Sequence, residues 1–151
     1  MIKRQIENIV SSRFFTGKTL VLLGARQVGK TTLLKQIAIS LEKEVIWLNA
    51  DNPEDRLLLS SLNASRPKEI FPTGSVVFID EAQRIENSGL TLKIIHDNWD
   101  GIQLVATGSS SFELTDKLKE TMTGRKSIFT LFPISFNELL NHTNYLETLR
   151  T

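Results

Sequence analysis

Gly24, Gly29, Lys30 and Thr31 fall within Gly24-Ala25-Arg26-Gln27-Val28-Gly29-Lys30-Thr31, at the spacing G-x-x-x-x-G-K-T. These are the residue types that grip a polyphosphate. A glycine at each end admits backbone angles and close approach that a Cβ would block, so successive N–H groups can converge on the β-phosphate. Lys30 brings a positive charge to the β- and γ-phosphates, and the N-terminus of the helix that must follow adds about half a charge. The Thr31 hydroxyl is a ligand for Mg²⁺. The expected nucleotide contacts run from Gly24 and Ala25 through Arg26, Gln27, Val28, Gly29, Lys30 and Thr31 to Thr32. Arg26 and Gln27 enter that set through their backbone rather than their side chains.

A second group follows some fifty residues later. Val76-Val77-Phe78-Ile79 is an apolar run ending in Asp80-Glu81. An acid at the C-terminal end of a strand can hold Mg²⁺ through water, which is the partner a phosphate-binding loop requires. A carboxylate one residue further, Glu81, reaches the γ-phosphate side and can act as general base on an attacking water. Thr107 and Ser109 end another apolar run and are expected to face the γ-phosphate and that water; a Gly-Ser turn capping the next helix is the structural alternative. Arg125, with Lys126 behind it, precedes a further short strand. An arginine there could stabilise charge developing on the γ-phosphate of its own or a neighbouring subunit, or else be a surface residue.

The elements that must position these residues alternate. Thr19–Leu23 is apolar almost throughout, as suits a parallel strand buried on both faces, and an amphipathic helix runs from Thr31 to about Glu42. Glu44–Asn49 is a second strand. Asp51-Asn52-Pro53-Glu54 is a turn and cap opening a helix through Leu62, and Pro67, Pro72 and Gly74 mark a loop. Ser75–Ile79 is the third strand, and Leu90, Ile94, Ile95 and Trp99 suggest the next helix. Strands at 102–106 and 127–131 bracket a helix at about 112–122, and a last helix begins after Pro133. Ile2, Ile6, Ile9 and Val10 give an N-terminal amphipathic helix near residues 3–13. Strand and helix in alternation predict a three-layer α/β domain with a mainly parallel five-stranded sheet.

Composition narrows the chemistry. At 151 residues with 40% hydrophobic content, the chain fits one domain with a filled core, and the net charge of +1 argues against a strongly basic nucleic-acid surface. The absence of cysteine excludes disulfides and thiolate metal sites, and two scattered histidines, His96 and His142, disfavour zinc. No apolar run approaches the ~18 residues needed to span a membrane, and no signal-peptide pattern opens the chain, so a cytoplasmic protein without a membrane partner is the expectation. Trp47 and Trp99 read as core or core-edge aromatics.

Four runs together carry a family resemblance: Gly24 to Leu33, Phe78-Ile79-Asp80-Glu81-Ala82-Gln83-Arg84, Ala106 to Ser111, and Gly124-Arg125 onward to Glu138. The chain resembles the prokaryotic AAA-type P-loop ATPases that carry a C-terminal, nuclease-like domain. The resemblance implies sheet order 5-1-4-3-2, ATP rather than another nucleotide, and Mg-dependent hydrolysis that drives or gates an attached domain. It also implies a homo-oligomer of the full-length protein, and nucleic acid as a partner through the C-terminal domain. Family members are more than twice this length. The chain is therefore expected to be an ATPase core, with a nucleotide-binding domain near 17–142 and the C-terminal region of a longer parent absent. Two other readings stay open: a nucleotide-dependent switch with little turnover, and a kinase, which has no need of a water-activating Glu81.

Overall fold

The computed structural model describes residues 6–25, 29–63, 65–109 and 111–132. The helix expected after Pro133, His142, Ser110 and the loop residues Arg26, Gln27 and Val28 lie outside them. Five strands form one sheet: β1 (Thr19–Leu23), β2 (Val45–Asn49), β3 (Val76–Asp80), β4 (Gln103–Gly108) and β5 (Lys126–Thr130). The order is β2-β3-β4-β1-β5, which is the expected order read from the other edge. All four pairings are parallel. Five helices connect or flank them: α1 (Glu7–Ser12), α2 (Lys30–Leu41), α3 (Pro53–Ser60), α4 (Ser88–Asn98) and α5 (Ser111–Leu118). No helix among the described residues is long and apolar enough to cross a membrane.

Alternation of side chains along the strands divides the interior into two cores. On one face Leu20, Leu22, Val76, Phe78 and Val105 pack with Val10 of α1, with Phe14 just after it, and with Leu33, Leu34 and Ile37 of α2. On the other, Val21, Leu23, Val77, Ile79, Leu104 and Ala106 meet Leu59 of α3, Leu92 and Ile95 of α4, and Leu114 and Leu118 of α5. Every residue of β1 is buried, because β4 and β5 flank it and helices cover both faces. Each such Leu or Val contributes about 1.5–3 kcal/mol of transfer free energy.

Element ends shift by a few residues from expectation for identifiable reasons. Strand β4 continues to Gly108 because its pairing with β1 runs to Leu23↔Gly108. Asn52 caps α3, its Oδ1 accepting from the Glu54 and Asp55 amides at 2.9 and 3.5 Å, with Pro53 at the first helical position. Helix α1 buries a narrower stripe than its apolar spacing suggests: Val10 is buried, whereas Ile9 is 53% exposed. Trp99 is buried edge-on to Phe71, and Trp47 stacks on Phe78 at 4.2 Å from the sheet's β2 edge.

At the N-terminal ends of the strands, His96 of α4 is half-buried with Nδ1 3.0 Å from the Thr19 hydroxyl. Burial, aided by the charges of Arg125 and Lys18 and opposed by Asp97, holds its pKa below 6.5. The hydrogen bond from Arg125, with its charge, likewise lowers Asp97 below 3.8. The unfolded imidazole takes its proton at a higher pH than the folded one, so the His96 contribution is intact above its unfolded pKa and is lost as pH falls below it. The Asp97 contribution disappears lower still, in the same direction. Tm is expected to fall between about pH 7.5 and pH 5.5, and to fall less in a His96→Asn variant. Equal slopes for the two proteins in thermal melts would refute the assignment.

Candidate nucleotide-binding site

Strands β3, β4 and β1 lie side by side and parallel, so the residues that follow them emerge together at one edge of the sheet. Helix α2 leaves β1 toward one face, while α4 and α5, which follow β3 and β4, cover the other. A crevice at the C-terminal ends of strands, where connections part to opposite faces, is where open α/β sheets bind ligands. Its floor is closed by the Gly24 amide donating to the Gly108 carbonyl at 3.2 Å.

The side of the crevice that carries the glycine-rich run comes from β1 and α2. Gly29 takes φ 98° as the N-cap of α2, a left-handed conformation that glycine adopts without penalty. Its carbonyl accepts from Leu33 N at 2.9 Å, closing the first turn. Lys30 is only 6% exposed, and its Nζ donates to the carbonyls of Gly24 at 2.7 Å and Ala25 at 3.0 Å. The ammonium is thus held beside the loop it belongs to, at the N-terminus of α2. Thr32 is exposed on the first turn.

Asp80 ties the three strands' ends to the helix. Its Oδ2 accepts from the Thr31 hydroxyl at 3.1 Å and its Oδ1 from the Thr107 hydroxyl at 2.6 Å. Thr31 and Asp80 therefore present hard oxygen donors side by side, the chemistry that Mg²⁺ takes from protein when phosphate and water supply its other ligands. Among the described residues no three His, Cys, Asp or Glu side chains cluster into an all-protein cage. The donor set fits a cation shared with a polyphosphate.

Glu81 turns the chain out of β3 at φ 54°, ψ 47°, in the left-handed region that a residue with a Cβ enters at a cost of about 1–2 kcal/mol. Its amide donates to Thr107 Oγ1 at 3.2 Å. Its carboxylate Oε2 accepts from Ser109 Oγ at 2.9 Å and from Gln83 Nε2 at 2.6 Å. The amide of Gln83 also donates to Ser109 Oγ at 3.1 Å.

The structure thus brings Gly24, Ala25, Gly29, Lys30, Thr31, Asp80, Glu81, Thr107 and Ser109 to one end of the sheet. Two placements differ from expectation. Thr107 is 1% exposed, and its hydroxyl donates to Asp80 Oδ1 and accepts from the Glu81 amide, so it is buried beneath the corner it braces rather than open to the crevice. Arg125 is not at this end. It lies at the start of β5, where its carbonyl accepts from Thr19 N, and its Nε donates to Asp97 at 3.0 Å. Pairing of Thr19 with Lys126 and of Leu23 with Thr130 separates that point from the crevice by the length of β1, about 16 Å at ~3.3 Å per residue. Arg125 therefore does not serve a γ-phosphate bound in its own subunit, and Lys126 shares its end of the strand. Strand polarity is the reason: a residue before a parallel strand and a residue after one lie at opposite ends of the sheet, which bears on the own-subunit reading of Arg125 and not on the neighbouring-subunit or surface readings. Gln83 is the residue that sequence reasoning assigned no role, although a polar side chain two positions after paired acids was visible in Asp80-Glu81-Ala82-Gln83.

Thr107→Val should leave Asp80 Oδ1 and the Glu81 amide without this buried partner and lower unfolding stability by about 1–3 kcal/mol, with Thr107→Ser recovering most of it. Urea unfolding measures both. A valine variant as stable as the parent would show that the corner does not depend on this hydroxyl.

Comparison with known proteins agrees with this geometry. The AAA domain family pattern matches residues 16–140. The chain is 26% identical, over 96% of its length, to an uncharacterized protein of Methanocaldococcus jannaschii, and 25% identical over 82% to one of Haemophilus influenzae. It spans about a third of each relative, 32% and 33%. Among solved structures it is similar to the RuvB Holliday junction branch migration motor of Thermotoga maritima, with TM-score 0.61, 20% identity, and 99% of this chain and 52% of that one covered. It is also similar to a Walker-type ATPase of Pyrococcus abyssi, with TM-score 0.64, 18% identity, and 98% and 59% covered. At these identities the structures share the fold, a P-loop nucleotide-binding α/β sheet. With that fold, the crevice it builds and a family match over most of its length, the chain belongs to the AAA domain family.

Proposed function

We propose that this chain binds ATP with Mg²⁺ in the crevice and hydrolyses it, as the ATPase core of a larger protein whose turnover drives or gates an attached or partner domain. The observation that carries the reading is the convergence of Lys30, Thr31, Asp80 and Glu81 at one edge, each with a distinct chemical task. Lys30 and the first amides of α2 would hold the β- and γ-phosphates. Thr31 and Asp80 would hold Mg²⁺, which when bound neutralises charge across the phosphate oxygens. Glu81 would orient a water in line with the γ-phosphorus and take its proton as the new P–O bond forms. The bond from the γ-phosphorus to the bridging oxygen breaks with it, leaving ADP and phosphate.

Glu81 favours hydrolysis over a kinase reaction, because a kinase delivers its own acceptor hydroxyl to the γ-phosphate. The relatives' additional length supports the attached domain in this proposal. The likeness to RuvB, a Holliday junction branch migration motor, supports nucleic acid as a partner of the whole protein, and assembly of the whole protein into a homo-oligomer is part of the same proposal. The proposed compartment is the cytoplasm.

Two variants test the reading. Lys30→Ala should weaken ATP–Mg²⁺ binding by roughly tenfold or more in titration calorimetry, since it removes the charge facing the phosphates; unchanged affinity would sink the phosphate site. Glu81→Gln should keep nucleotide affinity while phosphate release slows by roughly 10²-fold or more, the range for loss of a general base. Release at the parent rate would transfer the case to the switch or the kinase.

A further inference from the structure

We infer that Gln83 is the positioning residue for Glu81: with Ser109 it fixes which carboxylate oxygen faces the attacking water. The inference rests on the hydrolysis reading above and deepens it.

A glutamate side chain on its own does not hold a fixed carboxylate plane, because its terminal torsion is broad and roughly two-fold. Here one oxygen, Oε2, is gripped by two donors, Gln83 Nε2 at 2.6 Å and Ser109 Oγ at 2.9 Å, and those donors are themselves joined at 3.1 Å. The three groups close a ring. Its consequence is that Oε1 accepts from no described residue and is the oxygen left for a water.

The ring is built from outside the strands. Gln83 belongs to the 3-10 turn Ala82–Arg84 and is 4% exposed. Lys117 of α5 anchors the turn, its Nζ donating to the Gln83 carbonyl at 2.6 Å and reaching the Ile85 carbonyl at 3.4 Å. Strand β4 makes room for the amide: a Cβ on Gly108 would lie 3.2 Å from Gln83 Oε1 and 2.8 Å from Leu114 Cδ2. A side chain there would press on both the amide and α5.

Stability alone does not account for an amide here. Gln83 Oε1 is buried without a hydrogen-bond partner, so folding strips water from an acceptor and returns nothing. A methionine of similar length would fill the same space and leave no orphaned oxygen. A buried polar atom that costs folding energy beside a carboxylate proposed to react fits a trade of stability for activity.

The 151-residue chain and its Gln83→Met, Glu81→Gln and double variants are compared by phosphate release, nucleotide calorimetry and thermal melting. Gln83→Met should melt at or above the parent temperature, bind ATP–Mg²⁺ within about threefold of it, and turn over roughly tenfold more slowly, a portion of the 10²–10⁴ a general base supplies. In the Glu81→Gln background the same substitution should slow turnover no further, because the group it positions is gone. Turnover at the parent rate in Gln83→Met, or a loss of turnover that tracks a loss of fold or melting temperature, overturns the inference. So does a full additional slowing in the double variant. Should Glu81→Gln itself hydrolyse ATP at the parent rate, or the parent show no hydrolysis even under single-turnover conditions, the hydrolysis reading fails and takes this one with it. Slow Glu81→Gln with fast Gln83→Met refutes the positioning role alone.

Discussion

The Asp80 carboxylate accepts two hydroxyls, one from helix α2 and one from strand β4, while its own backbone ends β3. That single group joins helix α2 to two strands, and the rest of the crevice is arranged around it. Thr107 is shared between Asp80 and the Glu81 amide, so the carboxylate that would meet a metal and the backbone that carries Glu81, the proposed general base, are held by one hydroxyl. The arrangement is possible because β3 and β4 are neighbours in register, Ile79 opposite Ala106, which puts Asp80 level with Thr107. A one-residue slip would send both side chains to the other face of the sheet.

Rigidity is distributed unevenly around this point. Asp80 and Thr107 are set by strands with helices packed on both faces, and such close-packed interiors transmit strain with little relaxation. Glu81 sits one residue beyond the ladder, in a left-handed conformation that turns the chain out of the strand. A residue so placed needs support from elsewhere, and the support comes from the 3-10 turn and α5, not from the sheet. The crevice thus has a stiff half, which would hold phosphate and cation, and an outer half whose geometry follows the position of α5.

Most of the stiff half was legible in the amino-acid order. Glycine spacing, an apolar run before it and an amphipathic one after it specify a strand, a loop and a helix N-terminus, and a second apolar run ending in two acids specifies its partner strand. Local chemistry of that kind is written in neighbouring residues. The contacts of Thr107 were not, because they depend on which strands lie side by side and in what register, a property of the whole sheet. Gln83 escaped for a related reason: its amide becomes meaningful only when the 3-10 turn folds it back over Glu81 toward Ser109, twenty-six residues further along the chain. Val10 and Ile9 show the same limit at smaller scale, since both satisfy helical spacing and only one meets the core.

Parallel strands impose a polarity that composition does not reveal. Every strand of this sheet runs the same way, so its two edges are chemically different: one collects loop glycines, hydroxyls and paired acids, and the other collects His96, Asp97 and Arg125. Arg125 lies one residue before a strand and Glu81 one residue after, and that difference alone places them at opposite ends of the domain. At its own end Arg125 is partly exposed in an ion pair with Asp97, the kind of contact worth about 0–1 kcal/mol. A charge held so lightly adds little to the fold. The side chains proposed to act on a nucleotide gather at the end where the strands finish, and their positions depend on the helices that lead away from it.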